Sequence, residues 1–128
     1  MLNRSGITKT TLTSTKQILA NVELQSSVGC IVPQSLGVAV GTRTIAKAGT
    51  PIKIDLMNIQ TAAAKADGTT AFNAVLLHDV DVTDGNANGT ALIFGFVNVN
   101  RVDTDVATAI TTALTATGIS KQITFMKV

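Results

Sequence analysis

The stretch that most constrains this chain is residues 72–100, FNAVLLHDVDVTDGNANGTALIFGFVNVN. Two apolar runs flank a polar centre, Asp84-Gly85-Asn86-Ala87-Asn88-Gly89, which predicts a β-hairpin with a longer-than-minimal loop. Period-2 alternation puts Phe72, Ala74, Leu76, His78, Val80 and Val82 on one face of the first strand. Asn73, Val75, Leu77, Asp79, Asp81 and Thr83 fall on the other. The return strand, residues 91–99, is apolar on both faces through Phe96, as central strands covered on both sides are. In a chain of 128 residues the second cover is expected from a partner subunit. Ile93, Phe94, Phe96 and Val97 are therefore the candidate subunit-interface residues.

Residues 1–30 have a different character. They are rich in Ser and Thr, with sparse apolar residues and no sustained period. Ordering such a segment costs roughly 1–2 kcal/mol per residue in backbone entropy, and it brings little apolar area to burial. It is expected to be an arm, mobile when free, whose β-branched threonines suit an extended strand added to another sheet.

The compact part, residues 31–128, is expected to be a single β-rich domain. Leu36, Val38 and Val40 alternate with Gly37, Ala39 and Gly41, a strand with one bare face open to close approach. Ala48-Gly49-Thr50-Pro51 is a turn signal. Ile52, Ile54 and Leu56 alternate with Lys53 and Asp55, the pattern of a half-buried strand. Ala62-Ala63-Ala64-Lys65 suits one helical turn. A helix is expected at about 103–117, with Asp103 as N-cap, Asp105 in the first turn and Gly118 as the stop. Its apolar stripe is Val106, Ala109, Ile110, Ala113 and Leu114. Residues 119–128 read as a closing strand.

Composition narrows function. Aromatics are 3% of the chain, with no Trp or Tyr, which argues against a base-stacking platform for single-stranded nucleic acid. Net charge is +2, too small for a polyanion binder. The charge is unevenly placed: Arg4, Lys9 and Lys16 precede the first acid, Glu23, whereas Asp79, Asp81, Asp84, Asp103 and Asp105 crowd the middle around Arg101. The single cysteine, Cys30, excludes an intrachain disulfide and suggests a reduced thiol in a protein made in a cytoplasm. No run of 18 apolar residues suggests a membrane span, and the N-terminus has no apolar core of a secretory signal.

Neither of two candidate sites survives the spacing. His78, the one histidine, lies between Leu76 and Val80 on an apolar face, with Asp79 on the opposite face, and reads as structural. The string from Asp79 to Gly85 has Asp84 and Thr90 where a calcium loop needs Gly and Glu, so no metal is expected. No phosphate-binding glycine loop, dinucleotide fingerprint, zinc helix or nucleophile elbow is present. The expectation is a non-enzyme without catalytic residues or cofactors.

Three pieces then occur in order: Lys47-Ala48-Gly49-Thr50-Pro51, residues 74–85 (AVLLHDVDVTDG), and Gly95-Phe96-Val97-Asn98-Val99-Asn100-Arg101, with Lys121-Gln122-Ile123-Thr124-Phe125 near the end. Together they resemble the head decoration or head-fibre-type capsid proteins of tailed bacteriophages, over roughly residues 36–128. The resemblance implies a small β-barrel or sandwich-like decoration domain of the lambda type. It implies a structural virion protein on the outer surface of the expanded head, made in the host bacterial cytoplasm. Such proteins clamp neighbouring subunits of the major capsid protein as homotrimers and stabilise the shell. Nucleic acid, membrane and small-molecule substrates are not expected as partners. With the arm as the capsid-binding element, Arg4, Thr8, Lys9, Thr11, Thr13 and Lys16 are the candidate capsid contacts. The alternatives are a head-fibre base, a tail accessory or an adhesive virion module. A chain ending at Val128 leaves no room for a long fibre, so decoration is favoured.

Overall fold

A computed structural model describes residues 17–21, 23–66, 72–114 and 122–128. In chain order the strands are β1 (Ser26–Val32), β2 (Val38–Val40), β3 (Arg43–Ala46), β4 (Pro51–Lys53), β5 (Ala64–Lys65), β6 (Ala74–Leu76), β7 (Val80–Asp81) and β8 (Ala87–Asn98). Helix α1 (Thr104–Ala113) and strand β9 (Ile123–Met126) follow. The chain is mainly β, as the alternating patterns predict.

β8 is the hub. One flank carries β1, antiparallel, with Cys30 opposite Gly89 and Val32 opposite Ala87. The other flank carries β6, antiparallel, and β9, parallel, with Leu76 opposite Ala91 and Ile123 opposite Gly95. β4 and β5 extend this larger sheet to the order β1-β8-β6-β4-β5, and β2-β3-β7 form a smaller one. The larger sheet does not close into a barrel. Among the described residues one main-chain hydrogen bond joins its two ends, from Ala63 N–H to the Ile31 carbonyl at 2.9 Å, with no ladder beside it.

Each face of the larger sheet has its own core. Between the sheets lie Cys30, Val32, Leu36, Ala46, Ile52, Leu76, Val82 and Ala91. A second cluster gathers Ile18, Leu19, Phe72, Val75, Leu77, Leu92, Val97, Ile123 and Ala113 of the helix. Phe72 meets Phe125 edge to face, ring centres 5.7 Å apart.

This arrangement explains the doubly apolar return strand without a partner subunit. β8 is covered on both faces because its own chain supplies two clusters: Leu92 and Val97 serve one, and Ala91 with Ile93 the other.

Four further expectations are corrected. The arm does not extend to residue 30. Ile18 is fully buried and Leu19 nearly so, and β1 pairs with β8 along its whole length. Ahead of β1, Asn98 N–H donates to the Ile18 carbonyl (2.8 Å) and Ala20 N–H to the Phe96 carbonyl (2.9 Å). Main-chain pairing of this kind needs no hydrophobic period, so the composition concealed it. Second, the long hairpin is shorter than predicted. The first strand pairs with β8 through Leu77, whose N–H donates to Thr90 (2.9 Å), and then crosses to the smaller sheet as β7. Residues 87–89 belong to β8 rather than to the loop. Third, Ala64 and Lys65 form a strand against β4, because pairing overrides the helical preference of the alanines. Fourth, the strand at 52–56 stops at Lys53, leaving Ile54 buried and Leu56 exposed.

The helix spans Thr104–Ala113 and buries Val106, Ile110 and Ala113. The hydroxyls of Thr108, Thr111 and Thr112 donate to carbonyls one turn back, so packing of the buried stripe rather than propensity holds this helix. Gly118 lies outside the described residues. The turn at 48–51 forms as expected, with Gly49 at φ +93°. The strand expected from Leu36 begins only at Val38, because Gln34–Leu36 form a 3-10 turn that Gly37 closes; a Cβ at Gly37 would collide with Thr44 and Val82.

Candidate functional site

The six candidate capsid contacts, Arg4, Thr8, Lys9, Thr11, Thr13 and Lys16, lie outside the described residues. The structure does define the point from which they depart. Ile18 and Leu19 are packed in the core beside Val97 and Ile123. Gln17 folds its side-chain carbonyl onto Leu19 N–H at 3.0 Å. Residues 1–16 are thus tethered to a fixed root.

The four candidate interface residues separate. Phe94 is 46% exposed. Ile93 and Phe96 are half-buried. Val97 is fully buried in the chain's own core and presents nothing to a second subunit, which corrects its assignment. Other apolar side chains reach solvent elsewhere: Leu24, Leu56 and Met57, the last 95% exposed at the tip of a turn.

The acidic residues are dispersed among separate tasks. Asp79 accepts a hydrogen bond from Ala48 N–H at 2.7 Å and fixes the turn that leads into β4. Asp81 accepts from the Thr83 hydroxyl (2.6 Å) and N–H (2.9 Å) and pairs with Arg43 (2.6 Å). These contacts, the Thr83 hydroxyl first, hold its carboxyl down at a pKa of about 2. Asp103 occupies the helix N-cap position but makes no capping bond; it lies 3.3 Å from Lys47, which also pairs with Asp105 at 3.1 Å. Those bonds, above all the one to Asp105, raise the Lys47 pKa. Among the described residues no three His, Cys, Asp or Glu side chains are grouped to hold a metal ion. The Nδ1 of His78 is buried and, among the described residues, has no hydrogen-bond partner, so this is not the satisfied structural histidine that the spacing suggests.

The feature that sequence patterning missed is a groove at the unclosed seam of the larger sheet. It has a volume of about 470 Å³ and is lined by β1 at Val28, Gly29, Cys30 and Ile31 and by Leu56, Ile59 and Gln60 across from it. Asn88 and Gly89 of β8 complete the lining, and none of these side chains carries a charge at neutral pH. The Cys30 thiol, almost fully buried at its edge, has its pKa raised by that burial. Two local signals mark the groove: the uncharged run Ser26-Ser27-Val28-Gly29, and the apolar pair Leu56-Met57 placed in a turn. They lie about thirty residues apart, and no local period connects them.

No protein-family model matches this chain, and no curated protein matches it in sequence.

Proposed function

We propose that this chain is a structural virion protein that binds the outside of an expanded phage head as a trimer. In this reading it stabilises the shell by clamping neighbouring subunits of the major capsid protein. The observation that carries the reading is the rooted N-terminus. A stretch with three cations and no acid, residues 1–16, precedes a segment locked into the core at Ile18. A rigid β domain with such a tether suits a clamp: the domain sets position and the tether reaches a neighbour. Three tethers on one trimer bind multivalently, so weak single contacts sum to stable attachment. Because the ligand binds only the assembled, expanded shell, binding stabilises that state by mass action. The resemblance of residues 36–128 to head decoration proteins supports the same conclusion, as does a small, mainly β fold.

The test is to mix the purified chain with expanded empty heads and image them. Added density at three-fold or quasi-three-fold positions is the expected result. Bare heads at saturating protein would sink the proposal, and density on tails instead would move the protein to a tail accessory role.

A further inference from the structure

The edge of β1 carries an unfilled strand position. The Ile31 carbonyl points away from β8, since it accepts from Ala63. In an antiparallel ladder the N–H and C=O of one residue share a side, and sides alternate along the strand. Gly29 and Ser27 therefore also point their peptide groups outward, and among the described residues no hydrogen bond reaches them. The seam is pinched shut at Ile31 and opens toward Ser26, with the groove beside it. Natural sheets blunt such edges with Lys, Pro or a covering element. Residues 26–30 (SSVGC) have no charge, no Lys and no Pro, and the register with β8 is regular from Ser27 onward, shifting only between Ser26 and Ser27.

We propose that this edge receives residues 10–14 (TTLTS) of a second copy of the chain as an added strand, with Leu12 in the groove against Val28 and Ile59. The two stretches match in length, five residues each, and in lacking charge. Lys9 and Lys16 bracket the incoming stretch and limit the register. In a strand so added, alternation would set Leu12 on the face opposite Thr11 and Thr13, whose β-branched side chains suit a pleated surface.

Reach requires the second copy. Ile18 bonds to Asn98, whereas Gly29 lies opposite Thr90, eight positions along β8. That separation is about 27 Å at strand rise. Six residues of fully extended chain from Ile18 back to Leu12 cover at most about 21 Å. The chain would also have to reverse direction, so a copy's own Leu12 falls short of its own groove.

A head-to-tail exchange of this kind closes into a ring when the rotation permits. The inference deepens the function proposed above by naming what holds the copies together, and it rests on that reading only for the number three. It moves Thr11 and Thr13 from the shell to the neighbouring copy and keeps Arg4 and Lys9 for the shell.

The test is the mass of the full-length chain in solution, by light scattering after gel filtration. Wild type is expected as a trimer. Leu12→Asp and Gly29→Lys are each expected to lower the mass threefold, with unchanged circular dichroism. Gly29→Ala adds no charge and is expected to keep the trimer. Should the strand variant not fold, Leu12→Asp decides alone. A monomeric wild type, or a trimer that persists in Leu12→Asp, overturns the exchange. Head coating is measured separately: an assembly dissolved by these variants whose parent leaves heads bare keeps the exchange and removes the proposed function.

Discussion

Arg43 and Asp81 clasp the outer face of the smaller sheet: Arg43 Nη2 lies 2.6 Å from Asp81 Oδ2, and Nε donates to the same oxygen at 2.8 Å. The Thr83 hydroxyl and N–H bond the other carboxylate oxygen. Together these hold the Asp81 pKa at about 2, below its ordinary value of 3.8. A carboxyl whose folded pKa is depressed stabilises the fold above its unfolded pKa. That contribution is lost as pH falls through the folded value. Wild type is therefore expected to melt above Asp81→Asn at pH 5–6, and the gap to close between about pH 4 and pH 2. Thermal melts across that range check it; a gap that persists undiminished to pH 2 counts against the assignment.

Ile18 tests whether the N-terminal segment belongs to the domain. Its side chain is fully buried with Leu92, Val97 and Ile123. Ile18→Ala is expected to destabilise the fold by about 2–5 kcal/mol, the range for a large aliphatic truncated in a core. Denaturant titration measures this directly. A loss below ~0.5 kcal/mol, the scale of an ordinary surface substitution, would return residues 17–20 to the arm.

Gly49 and Gly29 should respond oppositely to one added methyl. Gly49 sits at φ +93°, and a Cβ there would lie 2.6 Å from Val102 Cγ1 and 3.1 Å from Val106 Cγ1. Gly49→Ala is expected to cost about 1–3 kcal/mol through strain and crowding. At Gly29 a Cβ meets nothing within 4 Å. Gly29→Ala is expected to be neutral or to stabilise by up to ~1 kcal/mol, since glycine weakens a strand. Melting temperatures of the pair decide the matter, and equal losses would refute the packing described at Gly49.

Asn98 is one of the buried polar side chains, 3% exposed. Its Oδ1 accepts from Asn100 N–H at 3.0 Å and from Val128 N–H at 3.4 Å, and its Nδ2 donates to the Val128 carbonyl at 3.4 Å. It ties the C-terminus to the end of β8. Asn98→Ala leaves these groups unpaired and is expected to cost about 1–3 kcal/mol. Hydrogen exchange should quicken at residues 123–128 more than in β1; uniform quickening would mean that the tie is not local.

What was legible in the sequence was whatever repeats locally. The alternation at Ile52 and Ile54, the turn at Gly49 and the stripe of Val106, Ile110 and Ala113 each follow from a short period. What stayed hidden depends on distant pairing. Leu77 ends one sheet and Val80 begins another, though the apolar alternation runs through both without a break. Residues 18–20 and β1 join the domain through main-chain pairing with β8, which leaves no mark on composition. The groove residues Val28 and Ile59 come together only because the larger sheet fails to close. The unpartnered Nδ1 of His78 is a property of the packed structure, which spacing does not carry.

The hub position of β8 has a consequence for the chain during synthesis. Val32 pairs with Ala87, 55 residues later (87 minus 32). At about 5–20 residues per second, β1 waits roughly 3–11 s for its partner to leave the ribosome. Through that interval an uncharged, β-prone segment has no partner on either side, the condition under which nascent chains associate wrongly. Slower translation of residues 33–86 is expected to raise the insoluble fraction of newly made protein, which pulse-labelling and sedimentation measure. The order of synthesis, as much as final stability, then governs how much of this protein reaches its fold.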